Sequence, residues 1–151
     1  MPEFLETTVD KFIFRVATDR LYSAQGLWVL DVGEGRVRVG LADFPQQRDG
    51  DVAFVEIKPP GTVLAVGDEL GTMETIKVNV SIPAPVAGAV GEVNPALETG
   101  PEVVNQDPYG AGWLAVIKTA GGAPVAGAGL LDPQAYFLLM KAEAEAEARK
   151  K

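Results

Sequence analysis

The sequence predicts an all-β domain with a short helix near residue 45 and a helix at the C-terminus. Three observations point there. Seventeen glycines and eleven prolines in 151 residues interrupt the chain too often for long helices. Apolar and polar residues alternate in several short runs, the period of a half-buried strand. A glycine-led segment occurs twice, Gly61–Leu70 and Gly88–Leu97, with Gly, Val, Val and Leu at the same offsets. The length suits one domain, and an apolar content of 47% allows a core.

Taken in order, Phe12 to Val16 is a short apolar run whose type the pattern leaves open. Leu27 to Val32 predicts a strand, Gly33-Glu34-Gly35 its turn and Arg36 to Leu41 the return strand. Val37, Val39 and Leu41 alternate with Arg36, Arg38 and Gly40, so one face of that strand is expected to be wet. Asp43 to Arg48 can cap and start one helical turn, with Pro45 near its beginning. Asp51 to Ile57 alternates again, with Val52 and Phe54 on one side and Val55 fitting less strictly; Pro59-Pro60-Gly61 breaks it.

Each copy of the repeat predicts a strand, a turn at Gly67-Asp68 or Asn94-Pro95, and a returning apolar residue, Leu70 or Leu97. A solenoid needs more copies than two, so the repeat predicts one domain with two similar halves. Thr75 to Ile82 alternates, with Ile76, Val78, Val80 and Ile82 against Thr75, Lys77, Asn79 and Ser81. Val86 to Val93 and Trp113 to Lys118 predict further strands, and Gly121 to Gly129 a small-residue loop. Trp28 and Trp113 read as core aromatics, and Asp107-Pro108-Tyr109-Gly110 as a turn. Asp132-Pro133 supplies an N-cap and a first helical residue. The helix is expected to run through Tyr136, Leu139 and Met140 and to fray in the Ala-Glu repeats, whose last turns add only solubility.

Composition limits the chemistry. There is no cysteine and no histidine, and serine stands only at positions 23 and 81. Thiol nucleophiles, Cys/His zinc sites, Ser-His-Asp triads and imidazole acid–base catalysis are excluded. Chemistry is expected from a group added to the chain, with no catalytic residue and no metal. The net charge of −8 argues against nucleic-acid and anionic-lipid partners. Met1 to Ala17 carries Glu3, Glu6 and Asp10 and does not read as a secretory signal. No stretch approaches the roughly 20 apolar residues of a membrane span, and the expected location is the cytoplasm.

Lys77 is the only basic residue between Lys58 and Lys118, and seven acids share that window. A lone amine in an acidic stretch is easily singled out by a partner enzyme. It lies two residues from the midpoint of the repeat, near Asn79, where one half hands over to the other. The alternation makes Lys77 an outward strand residue, and spacing alone leaves open whether the chain runs straight through it or folds back there. Glu74, three residues earlier, reads as a surface charge or as a docking carboxylate for a modifying enzyme.

Many of these residues stand in a familiar pattern. The pattern includes Asp19 to Ser23, Trp28, Val39 to Phe44, Gly50-Asp51-Val52, Phe54-Val55-Glu56, Gly61 and Gly67-Asp68. It continues through Glu74-Thr75-Ile76-Lys77, Pro85 to Gly88, Val93-Asn94, Leu97, Pro101 to Asn105, Asp107 to Gly110, Gly112 to Leu114 and Leu131 to Tyr136. In these residues the chain resembles the lipoyl-carrying H protein of the glycine cleavage system. The resemblance implies a barrel-sandwich hybrid, two small antiparallel sheets with quasi-twofold halves, occupying residues 19–132. An N-terminal extension (1–18) precedes it, and a C-terminal helix and charged tail (133–151) follow. It implies lipoic acid in amide linkage to Lys77 on a tight hairpin, and Glu74 as the acid read by the lipoylating enzyme.

The implied protein is a non-catalytic carrier. Its arm, on the order of 10 Å or more when extended, takes an aminomethyl group from a pyridoxal-phosphate glycine decarboxylase. It yields the one-carbon unit to an aminomethyltransferase and is reoxidised by dihydrolipoamide dehydrogenase. A lipoate-protein ligase or lipoyltransferase attaches the cofactor. Some positions depart from the pattern. Gly26-Leu27 stand where the family has His-Glu before the tryptophan, and Pro45 and Asp49 where it has alanine and leucine. Lys58-Pro59-Pro60 replaces a proline-first loop, and Val78 to Ser81 replace small residues and an acid. The alternatives are a lipoate carrier of another pathway, such as sulfur-compound oxidation, or an unmodified interaction domain. A biotinyl carrier would place methionines beside the lysine, where Ile76 and Val78 stand.

Overall fold

In the computed structural model, which describes residues 3–119 and 129–150, the alternating runs become short antiparallel strands. The chain order is β1 (Phe4–Val9), β2 (Phe12–Ala17), β3 (Leu21–Tyr22), β4 (Leu27–Gly33), β5 (Arg36–Leu41), α1 (Asp43–Asp49) and β6 (Val52–Ile57). Then come β7 (Val63–Leu64), β8 (Glu69–Thr75), β9 (Asn79–Pro83), β10 (Gly88–Val93), α2 (Ala96–Thr99), α3 (Val103–Gln106), β11 (Ala115–Thr119) and α4 (Pro133–Arg149). A six-stranded sheet has the order β3-β4-β5-β11-β10-β7, a three-stranded sheet has β6-β8-β9, and β1-β2 form a separate hairpin. The Gly121–Gly129 loop lies almost wholly outside the described residues. Among the described residues no helix is long and apolar enough to cross a membrane.

The two sheets share one core, as the expected sandwich requires. Leu27, Val29, Val37, Val39, Val90 and Ile117 come from the large sheet, and Val52, Leu70, Met73 and Ile82 from the small one. The repeat copies meet here. Val63 and Leu64 pair with Ala89 and Gly88, and Gly61 donates its N–H to the Val90 carbonyl while Val90 returns one to Thr62. Their second halves differ. Leu70 is the second residue of β8, whereas Leu97 lies on α2 rather than on a returning strand; both are buried. Asn94 causes the divergence, because its side-chain oxygen accepts the Ala96 N–H and starts a helical turn.

The expected wet face of β5 is wet only at Arg36; Arg38 is half-buried and Gly40 buried. Successive strand residues point to opposite faces, so Trp28 and Gly40 turn away from the shared core toward a second one. There Phe14, Val16, Tyr22, Trp28, Phe44, Tyr136 and Met140 pack together. The Trp28 indole lies against β5 so closely that a Cβ on Gly40 would sit 2.5 Å from Cζ2. Arg38 is drawn in as well, its guanidinium 4.9 Å from the Trp113 ring. Arg20 covers Trp28 at 4.6 Å, and the indole N–H donates to the Pro108 carbonyl.

The second core also orders the two ends of the chain. The apolar run of uncertain type is β2, paired with β1 through a turn in which Asp10 and Lys11 both have positive φ. The hairpin packs on α4 and on α1, where Phe14 meets Phe44 edge to face. Asp43 does not cap α1. Ala42 is the cap residue, and the Asp43 carboxylate accepts the Arg15 N–H and the Gln46 amide instead. Asp132 does cap α4, accepting from the Ala135 N–H at 2.7 Å. That helix does not fray at its Ala-Glu repeats but continues to Arg149. Tyr136, Met140 and Ala144 form a buried stripe at i, i+4, and the small alanine allows close packing against the hairpin.

All three tyrosines of the chain belong to this second layer. Tyr22 stacks on Tyr136 with centroids 4.5 Å apart, a contact worth about 0.5–1.5 kcal/mol beyond burial. Burial raises the pKa of each phenol above its ordinary 10.0, Tyr109 to about 12.

Two outcomes are expected. Gly40→Ala forces a methyl into the indole and lowers stability by about 1–3 kcal/mol in denaturant unfolding. Because the fold favours the neutral phenols, stability is complete below pH 10.0 and falls as pH rises through about 12. Phenolate absorbance followed against pH will then rise together with unfolding, not before it.

Candidate functional site

The β8–β9 hairpin presents the lone lysine. Gly71, Met73 and Thr75 face inward along β8, and Glu74 pairs with Asn79 as the last rung. The Thr75 N–H donates to the Val78 carbonyl at 2.8 Å, so Ile76 and Lys77 form a two-residue tip. The chain folds back at Lys77 and does not run straight through. This resets the alternation. Thr75, expected outside, is 7% exposed, whereas Ile76 and Val78, expected inside, are 74% and 41% exposed.

The tip rests on the end of α1. Ile76 donates its N–H to the Asp51 carbonyl, and the Thr75 hydroxyl donates to the Asp49 carbonyl at 2.6 Å. The Lys77 Cγ and Cδ lie 3.5 Å from where a Cβ on Gly50 would be, an ordinary contact distance, so the lysine stem runs beside Gly50, where a φ of 91° rather than crowding calls for glycine. Lys77 is exposed and, among the described residues, forms no ion pair. Its amine is therefore free to react. Glu74 is exposed on β8.

Two further features surround the lysine. The segment beneath it is held by Asn105, whose side chain accepts the Val52 N–H and donates to the Gly50 carbonyl and to Gln46. Beside it a cleft of about 210 Å³ opens between the β1–β2 hairpin, α1 and the end of α4, with Lys77 and Arg48 in its lining. Burial disfavours the Arg48 charge, but the hydrogen bond and charge of Asp49 outweigh it and raise the arginine pKa. Charges of both signs line the cleft, Arg48 and Lys77 with Asp10 and Glu147, and Phe12, Phe14 and Phe44 supply its apolar wall. On the outer face of the small sheet Phe54 is 70% exposed, not inward, because a register shift in β6 between Val52 and Phe54 turns it out.

Sequence reasoning singled out Lys77 and Glu74, which share one hairpin. It missed Thr75, Gly50 and Asn105. Thr75 had a readable signal, since it continues the inward series of Gly71 and Met73. Gly50 and Asn105 act from distant segments, and no local pattern marks them.

The Gly26 and Pro45 departures meet in space. A Cβ on Gly26 would lie 2.4 Å from the Pro45 Cγ and 3.3 Å from the Tyr136 hydroxyl. The proline ring fills the room a larger residue at position 26 would need.

The chain matches the profile of the family "Glycine cleavage H-protein" over residues 20–143, a span that starts after β2. It is 44% identical over 121 residues to the glycine cleavage system H protein of Laribacter hongkongensis (strain HLHK9), covering 80% of this chain and 94% of that one. To the protein of the same name from Mycobacterium avium (strain 104) it is 42% identical over 123 residues, covering 80% and 93%. The crystal structure of a glycine cleavage system H protein from Mycobacterium marinum superposes with a TM-score of 0.70 at 30% identity, over 80% of this chain and 95% of that one. With its sandwich fold and its matched span of residues, the chain belongs to the glycine cleavage H-protein family.

Proposed function

We propose that the chain is the non-catalytic lipoyl carrier of a glycine cleavage system, with lipoate in amide linkage to Lys77. One observation carries the assignment of the residue: the unpaired lysine stands at the exposed reversal of a tight hairpin, not within a ladder. Family membership supports the cofactor and the pathway. The residues present fit the group. Among the described residues the amine has no carboxylate partner, and the residue is exposed.

When attached, lipoate supplies the disulfide chemistry that a chain without cysteine lacks. The protein's own residues do the rest. The rigid tip holds the attachment point away from the core, and tethering raises the local concentration of the reactive end at each partner. Ile76 and Val78 give the tip an apolar collar, and Glu74 gives the lipoylating enzyme a carboxylate to read. The partners are glycine decarboxylase, aminomethyltransferase and dihydrolipoamide dehydrogenase, together with the lipoate-protein ligase or lipoyltransferase. The proposed site of action is the cytoplasm.

Intact mass after expression with lipoate and a working ligase will show one lipoyl increment, absent from Lys77→Arg. Glu74→Gln will slow the modification without abolishing it. A biotinyl increment, or none on the wild-type chain, would overturn the assignment. A fully lipoylated protein that glycine decarboxylase does not use would move the carrier to another pathway.

A further inference from the structure

We infer that Thr75 is the positioning residue for acylation of Lys77, its hydroxyl setting the backbone geometry that an acylating enzyme recognises. The inference rests on the reading of Lys77 as the acylated residue. A hydroxyl offers one hydrogen and two lone pairs. The Thr75 Oγ1 accepts the N–H groups of Lys77 and Val78, each at 3.1 Å. Its hydrogen has the Asp49 carbonyl at 2.6 Å, well ahead of the Val78 carbonyl at 3.2 Å. The whole capacity of one buried side chain is thus spent on the lysine, its neighbour and the end of α1.

The arrangement explains an irregular turn. In an ordinary two-residue hairpin of type I′ both central residues take positive φ. The β1–β2 hairpin does so, with φ of 47° at Asp10 and 77° at Lys11. Neither Ile76 nor Lys77 has a positive φ. The Val78 N–H bonds to the Thr75 side chain, so a side-chain oxygen serves where a hairpin would use a main-chain one. This permits a β-branched isoleucine beside the lysine, at a turn otherwise suited to Asn-Gly.

The anchor is itself fixed. The Asp49 carbonyl belongs to the end of α1, and the next residue, Gly50, donates its N–H to Gln46 and accepts from Asn105. Thr75→Val keeps the shape but leaves two N–H groups and a carbonyl without this partner. The tip then samples other turns, and the lysine leaves the pose an enzyme must meet. A displacement of about 1 Å at a reacting group can cost on the order of a hundredfold in rate.

The test uses the full chain as wild type, Thr75→Ser, Thr75→Val and Thr75→Ala. Each is given to a lipoate-protein ligase with lipoate and ATP, and kcat/KM is read from intact mass over time. In parallel, Lys77 is labelled with a small amine-reactive ester, and thermal unfolding is recorded. The expected result is a loss of about ten- to a hundredfold in kcat/KM for Thr75→Val and Thr75→Ala. Ester labelling of Lys77 stays undiminished, and Thr75→Ser keeps a rate close to wild type. Should Thr75→Val fail to fold, Thr75→Ala removes the hydroxyl without adding bulk, and Thr75→Ser still tests rescue. Wild-type rates in the folded hydroxyl-free variants, or a serine variant as slow as valine, would overturn the role of Thr75 and leave Lys77 standing. A wild-type chain that the ligase does not modify would remove both.

Discussion

Trp28 packed against the backbone of β5 over Gly40 is the contact on which the architecture turns. It puts packed residues on both faces of β4 and β5, Leu27, Val29, Val37 and Val39 on one side and Trp28 over Gly40 on the other. The first face closes the sandwich with β6, β8 and β9. The second gathers the N-terminal hairpin, α1 and α4 into a layer that a carrier sandwich alone does not require. Had position 40 borne a side chain, the indole would be displaced, and with it the cover provided by Arg20 and the Pro108 carbonyl.

From that layer the constraint passes to the lysine. Phe44 seats α1 against Phe14, and Asp43 ties its start to the Arg15 N–H. Gln46 and Asn105 then hold the turn that leaves the helix. The hairpin tip sits on that turn, so Lys77 takes its backbone pose from residues far away in sequence. A mobile arm benefits from an immobile root. On the proposed reading of Lys77, the freedom is confined to the single bonds of the side chain, and the backbone presents one pose to each partner.

The sequence made legible what local chemistry decides. The β4–β5 pair, the Asp132 cap and the repeated glycine-led segments each have a signal within a few residues, and the structure agrees with them except in the second copy, whose expected return strand is the helix α2. What stayed hidden depends on tertiary partners. Arg38 and Gly40 look solvated until Trp28 and Trp113 come across the chain. The Ala-Glu tail looks like a fraying end until the hairpin of residues 4–17 covers Ala144. Phe54 looks inward until a register shift rotates it. At the site, the alternation through residues 75–82 gave the wrong parity for Thr75, because a two-residue reversal resets the count.

Gly26 and Pro45 are separate departures from the family pattern on paper, but their atoms share one space. The ring at 45 stands where any β-carbon at 26 would have to be, and Gly26 also has a φ of 93°, which side chains avoid. A histidine at 26 meets the ring at 45 and the Tyr136 hydroxyl, and replacing the proline by alanine would relieve the first obstacle but not the backbone conformation. Any side chain placed at 26 must therefore contend with the ring at 45, so a substitution at one of these positions has to be weighed together with the residue at the other.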